Sequence, residues 1–348
     1  MAQAVEGKSE TAYLNTLRVT STFAVIMIHI FSQVNMYFSE SFTEAESYIC
    51  IILRNIWQWC VPIFVMITGV LFLNPEKEIT LEKLLKKYVL RIVLAITLFG
   101  IPYCLIEILF DSGMSFRIGQ IGTAVLNVIQ GKSWDHMWYL YMIAGLYLFI
   151  PVLKIFVRCA PERVLKYTLI LLFVFTSLIP SLENILPYTF GIYLPVNSVY
   201  VFYLLLGYYI HHHRIHIDSR ILWPMLFLYG AYAVLMPLNA GFITHSNGVL
   251  ILNEYDSPVV VLAALSFFCI QNKINKNIEI INKIAPLCFG IYLIHPLMIN
   301  FMYKYLKFNP ENFNIIYSVS LTIAATIAVS LIFSYIARKI NVLRKYVL

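Results

Sequence analysis

The sequence predicts an all-α, polytopic membrane protein of about ten transmembrane helices, with both termini in the cytoplasm. Three observations predict it. Hydrophobic residues make up 60% of the 348 and charged residues only 12%, which is far from a soluble domain. Mean hydropathy is +0.77. Lysine and arginine collect at alternate ends of the apolar runs, the bias that marks cytoplasmic loops.

About 20 helical residues cross the hydrocarbon of a bilayer. Runs of that kind fall near 13–36, 48–73, 86–110, 136–157, 165–181, 197–212, 220–240, 256–271, 285–305 and 313–337. The fifth, sixth and eighth are short for full crossings, and residues 114–131 read as an interfacial helix. Residues 1–12 form a cytoplasmic tail, 13–340 a single transmembrane domain and 341–348 a second cytoplasmic tail. No small-residue cleavage site follows the first run, so it is expected to remain as a span.

With the N-terminus inside, the inner segments hold Lys8, Lys77, Lys83, Lys86, Lys87, Arg91, Lys154, Arg158, Arg214, Lys273 and Arg338, among others. The outer loops hold only Arg117, Lys132, Lys304 and Lys307. Topology therefore accounts for the net charge of +7, and no nucleic-acid partner is expected. The six cysteines show no zinc-type spacing. The run His211–His216, HHHRIH, follows an apolar exit and reads as a solvated juxtamembrane segment. No metal is expected.

The first run, Tyr13–Tyr37, carries the strongest chemical signal. Arg18 and His29 are eleven residues apart, close to three helical turns, so both project from one face ~16 Å apart along the axis. Arg18 alone reads as a snorkelling anchor. His29 lies deep, where an ionisable group marks a functional site by default. Their shared register favours the functional account over a neutral, packed histidine.

Other candidates follow in order. Lys83, Lys87 and Arg91 form an i, i+4, i+8 row at the inner mouth of the third span, suited to a polyanion. Ordinary positive-inside charge explains the lysines equally well. Arg54 stands near the outer end of the second span and either orients an acceptor or snorkels. Glu107, with Asp111 at similar depth, either holds an imidazole in one tautomer or faces interfacial water. His136 either contacts an acceptor or is interfacial. His295 precedes Pro296, which frees a helix carbonyl; a packing role is expected, with a second catalytic histidine as the alternative.

Several patches in fixed order resemble one family: the Arg18/His29 pair, VPIFVMITGVLF (Val61–Phe72), HMWYLYMIAGLYLFIPVL (His136–Leu153), FYLLLGYYI (Phe202–Ile210), YDSPVVVLAALSFF (Tyr255–Phe268) and FGIYLIHPLMI (Phe289–Ile299). From about Tyr13 to about Arg338 the chain resembles the acyltransferase-3 family of integral membrane acyltransferases. That family includes bacterial surface-polysaccharide O-acetyltransferases and the membrane portion of resistance-associated serine racemases. The family often has Arg-x-x-Arg where helix three begins. Here Tyr88 takes the first position and Arg91 the second, so Lys86 or Lys87 is expected to supply the missing cation, without arginine's bidentate fork.

The resemblance implies a multi-pass protein of the bacterial plasma membrane. It implies acyl transfer from cytoplasmic acyl-CoA, usually acetyl-CoA, to a hydroxyl of a glycan or lipid-linked acceptor. Arg18, Arg91, Lys86 and Lys87 would then grip the carrier's phosphates. His29 would act as general base, or as a nucleophile forming an acyl-imidazole. Arg54, Glu107, His136 and His295 would support the acceptor side. Membrane lipids are the other partners, and a homo-oligomer is compatible. No esterase-like or racemase domain is read in the chain, so the acceptor is expected to be met in the membrane plane or through a partner. The competing class is a transporter or exporter of an amino acid or polysaccharide, against which stands the lack of paired Gly/Pro-broken helices in two halves. A structural partner of a biosynthetic complex would leave the Arg18/His29 register unexplained.

Overall fold

The computed structural model describes residues 11–113, 117–186, 188–238 and 254–348. Lys8 and the rest of 1–10, residues 114–116 of the expected interfacial segment, residues 239–240 of the seventh span and the side chain of Asp111 lie outside the described residues. Every regular element among the described residues is helical, as the composition requires.

The first span is α1 (Ala12–Phe38). The second is built from α2 (Glu44–Asn55) and α3 (Cys60–Phe72), with a break at residues 56–59. A π-helical turn, Leu84–Val89, leads into α4 (Leu90–Asp111), and α5 (Gly119–Ile129) follows. Next come α6 (Trp138–Cys159) and α7 (Glu162–Phe173), the latter running through a second π turn into α8 (Ile179–Ile185). The remaining elements are α9 (Val199–His212), α10 (Ser219–Leu238), α11 (Pro258–Ile274), α12 (Glu279–Ile284), α13 (Cys288–Asn300), α14 (Ile315–Lys339) and α15 (Asn341–Tyr346).

Eight helical runs among the described residues are long and apolar enough to cross a membrane. The sixth and eighth positions are filled by α9 and α11, which at 14 and 17 residues are short, as expected. The fifth is longer than the sequence suggests, because the π turn carries the helix on to Asn184 and gives 23 residues. In the 114–131 segment, α5 leaves Ile121, Leu126 and Ile129 exposed.

Local chemistry sets the ends. Thr43 and Glu46 form a capping box at α2, with the Thr43 amide donating to Glu46 Oε2 at 2.9 Å and the Glu46 amide donating to Thr43 Oγ1 at 3.3 Å. The first free amide of α1, at Tyr13, donates to Asn275 Oδ1 at 3.0 Å. Ties of this sort join the ends that the lysine and arginine bias groups together. Tyr13 bonds His211 at 2.8 Å, Asn15 bonds Asn282 at 2.9 Å and Arg338 bonds the Pro286 carbonyl at 2.6 Å. At the opposite ends, Tyr203 bonds the Tyr255 carbonyl at 2.7 Å and Lys304 pairs with Glu107 at 3.0 Å.

Two helix pairs centre the bundle. Between α3 and α9, Gly69 lies against the Leu204 backbone and Gly207 against the Met66 backbone, so close that a Cβ at either place would enter a carbonyl. Small residues allow this approach where lipid offers no hydrophobic drive to association. On α14, Ser318, Thr322, Thr326, Ser330 and Ser334 repeat every fourth residue and are all buried. They form one stripe, from which Ser334 donates to the Leu287 carbonyl at 2.7 Å, just ahead of α13.

Candidate active site

Three histidines from three distant parts of the chain meet inside the bundle. The His29 ring on α1 lies 5.1 Å from that of His295 on α13 and 6.2 Å from that of His136, just ahead of α6; His136 and His295 are 5.7 Å apart. His136 and His295 are buried, and His29 keeps part of its surface in a cavity.

Sequence explains how His295 is held. Pro296 has no amide hydrogen, so the carbonyl four residues earlier, that of Tyr292, loses its helical partner. His295 Nδ1 takes that carbonyl at 2.7 Å, with the Ile291 carbonyl at 3.3 Å. Carbonyls only accept, so Nδ1 carries the hydrogen and Nε2 keeps its lone pair. Among the described residues that Nε2 has no hydrogen-bond partner, and neither ring nitrogen of His136 has one. Such groups are uncommon when buried, and water or a ligand can supply the missing bonds. Aromatic rings wall the cluster. Tyr103 stacks on Trp134 at 4.2 Å, Tyr103 donates to the Leu293 carbonyl at 2.6 Å, and the Tyr292 hydroxyl bonds the His136 carbonyl.

A cavity of about 400 Å³ joins this cluster to the inner end of the bundle. His29 and His136 line its deep part, and Arg18, Arg91 and Arg338 line its inner part; Tyr139, Tyr147 and Phe289 are among the apolar and aromatic residues between. Its lining has three guanidiniums and no carboxylate side chain among the described residues. Arg91 donates to the Val347 carbonyl at 2.9 Å and lies 5.9 Å from the Phe289 ring. Arg91 and Arg338 line the same cavity, where like charges repel and a bound anion would offset that cost.

The expected pairing of Arg18 with His29 on one face holds: both open onto this cavity. Lys86 and Lys87 do not. Lys86 is exposed and pairs with Glu82 at 2.8 Å, while Lys87 lies over the Tyr88 ring at 5.7 Å. The π turn at Leu84–Val89 adds a residue to that turn of helix and breaks the straight Lys83, Lys87, Arg91 row. The third cation comes instead from Arg338 in the last span. Its signal was in the sequence, since Arg338 is the next term of the four-residue stripe that runs from Ser318 to Ser334.

Among the described residues, Glu107 orients no histidine. It accepts from Trp134 Nε1 at 3.2 Å and pairs with Lys304 at 3.0 Å, toward the outer face. Arg54 does not line the cavity, and its Nε is buried without a hydrogen-bond partner among the described residues. His136 is buried rather than interfacial, and His295 packs within the cluster with an Nε2 that has no hydrogen-bond partner among the described residues. No group of metal-ligating side chains with metal-binding geometry occurs among the described residues.

A family model described as an acyltransferase domain, Acyl_transf_3, matches residues 11–337. The chain belongs to the acyltransferase-3 family. Neither a curated protein nor a solved structure matches it significantly. With its apolar helical spans, this acyltransferase-3 member is a multi-pass membrane acyltransferase, and the match takes in Arg18, His29, Arg91, His136 and His295.

Proposed function

We propose that this membrane acyltransferase moves an acyl group, acetyl in the simplest case, from cytoplasmic acyl-CoA to a hydroxyl of an acceptor at or beyond the outer face, a cell-surface glycan. One observation carries the reading: Arg18, Arg91 and Arg338 line the inner part of the same cavity whose deep part is lined by His29. Three fixed cations with no carboxylate side chain among the described lining residues suit the phosphates of a nucleotide carrier. The aromatic and aliphatic residues between suit its thioester arm.

In this reading His29 takes the acceptor's hydroxyl proton while the hydroxyl oxygen attacks the thioester carbon. The C–O bond forms, the C–S bond breaks, and the proton passes from the imidazolium to the departing sulfur, restoring neutral His29 and releasing a thiol. His295 presents its Nε2 lone pair beside the ring on which positive charge develops. The packed aromatics around His136 keep bulk water from the thioester.

The test has two parts. Purified protein should bind labelled acetyl-CoA, with loss of binding in Arg18→Ala, and cells that lack the protein should lose an ester from their envelope glycans by mass spectrometry. Acyl-CoA binding that is absent in the wild type would overturn the proposal, and solute uptake independent of acyl-CoA would replace it with transport. A labelled acyl-protein adduct formed without acceptor, and lost in His29→Ala, would make His29 the nucleophile rather than the base.

A further inference from the structure

Beyond residues 11–337, which the family model matches, residues 341–348 fold back onto the inner end of the bundle. Ile340 leaves helical geometry at φ −79° and ψ 112° and separates α15 from α14. The amides of Val347 and Leu348 both donate to the Leu343 carbonyl, at 2.9 and 2.7 Å, and close the turn that follows α15. Most of α15 is exposed, whereas Val347 and Leu348 are buried in the main apolar core. Leu348 lines the inner cavity and reaches α13 so closely that a methyl group on Gly290 would stand 3.3 Å from it. A solvated tail needs no such anchors; a segment that is tied down does.

What these anchors place is a carbonyl. Carbonyls at the end of a helix have no partner within it, and that of Val347 accepts from Arg91 Nε at 2.9 Å, across 256 residues of sequence. The Phe289 ring, 5.9 Å from the guanidinium, is an equally neutral neighbour. Neutral groups hold the side chain without cancelling its charge, as a carboxylate would. A guanidinium has more than one donor edge, so a bond at Nε leaves its terminal nitrogens for an anion. A cation fixed in this way has less rotamer freedom to lose when the anion arrives.

We propose that Asn341–Leu348 is a strap that positions Arg91 for the carrier's phosphates, so that residues outside the matched family domain complete the inner end of the cavity. Val347 and Leu348 are its positioning residues, and they act on the carrier through the guanidinium. The role in carrier binding rests on the acyl-transfer reading; the docking of the strap on Arg91 does not.

The experiment uses the full chain in nanodiscs. The paired variant Val347→Ser/Leu348→Ser should raise the acetyl-CoA KM about tenfold, as for one lost hydrogen bond to a charged group, with kcat near the wild-type value. In an Arg91→Ala background the same pair should add no further rise, a non-additivity that general loosening of the fold would not produce. Val342→Ser, on the exposed side of α15, should leave KM unchanged. If the paired variant fails to fold, Leu348→Ala takes its place in the same cycle, with Leu348→Ile expected to restore the wild-type KM. Trypsin supplies a readout that needs no carrier: Arg91→Ala should speed cleavage after Arg344 and Lys345, both exposed, about tenfold. Wild-type KM in the strap variants, a rise that persists undiminished without Arg91, a fall in KM, or cleavage indifferent to Arg91 would each overturn the inference. Wild-type protein that binds no acetyl-CoA, while cleavage still depends on Arg91, would overturn the acyl-transfer reading and leave the docked strap standing.

Discussion

His295 donates its Nδ1 hydrogen to the Tyr292 carbonyl at 2.7 Å, on the turn of helix where Pro296 withholds the amide that would otherwise take it. One imino acid thus fixes the tautomer of its neighbour, and with it which nitrogen of the ring keeps its lone pair. Replacing Pro296 by Ala returns an amide that competes for Tyr292. We expect Pro296→Ala and His295→Gln to lower kcat while the KM for acetyl-CoA stays near the wild-type value. Single-turnover kinetics with labelled acetyl-CoA would check this, and a rise in KM with unchanged kcat would assign Pro296 to packing alone.

His29→Ala removes the group that takes the proton. Loss of a positioned general base typically costs about 10²–10⁴-fold in rate. Transfer should fall by that order with acetyl-CoA affinity retained, measured side by side as turnover and Kd. Turnover like that of the wild type would sink the assignment.

The three guanidiniums should act on the carrier rather than on chemistry. Arg91→Ala and Arg338→Ala are each expected to raise the acetyl-CoA KM by roughly 10–100-fold, since a hydrogen bond to a charged group contributes about 1.5–3 kcal/mol. Lys86→Ala and Lys87→Ala should leave it unchanged, because neither side chain reaches the cavity. A titration of KM across the four variants separates these outcomes. Equal losses in all four would point to general charge at the inner surface.

Glu107→Gln breaks the pair with Lys304, whose side chain is 32% exposed against 41% for Glu107. Pairs that open to solvent contribute at most about 1 kcal/mol. The variant should keep wild-type kcat and lose only a little thermal stability. A large fall in kcat would restore the orienting role that the sequence suggested.

Gly207→Val forces a branched side chain into the Met66 backbone. Overpacking of this sort costs ~1–3 kcal/mol, more when backbone must move, so the Tm in detergent should fall clearly. Gly145→Ala is the control, with nothing within 4 Å of the new methyl group. An unchanged Tm for Gly207→Val would mean that α3 and α9 are less closely apposed than described.

Much of this was legible in the sequence, and what escaped it did so for physical reasons. Helix positions follow from apolar run length, and the common face of Arg18 and His29 follows from helical period alone. The freed carbonyl at Pro296 was also readable, because that effect is local. Nothing local, however, places His136 or His295 beside His29, since tertiary proximity across more than a hundred residues leaves no spacing signal. The pull of Glu107 toward Lys304 is hidden for the same reason. The Lys83, Lys87, Arg91 row failed on an assumption of regular α geometry, which the π turn violates. At Arg338 the signal is masked, because a cation at an inner helix end already has an ordinary explanation.

The lumen's walls are shared between the opening and closing segments of the chain: Arg18 and His29 come from the first crossing and Arg338 from the last, with α3, α4 and α6 contributing between. During synthesis the inner part of the cavity therefore gains its third guanidinium only when α14 docks beside α13. A chain short of that crossing would lack Arg338 and the helix that packs on α13, so the cation set of the cavity is complete only once residues far apart in the sequence have met.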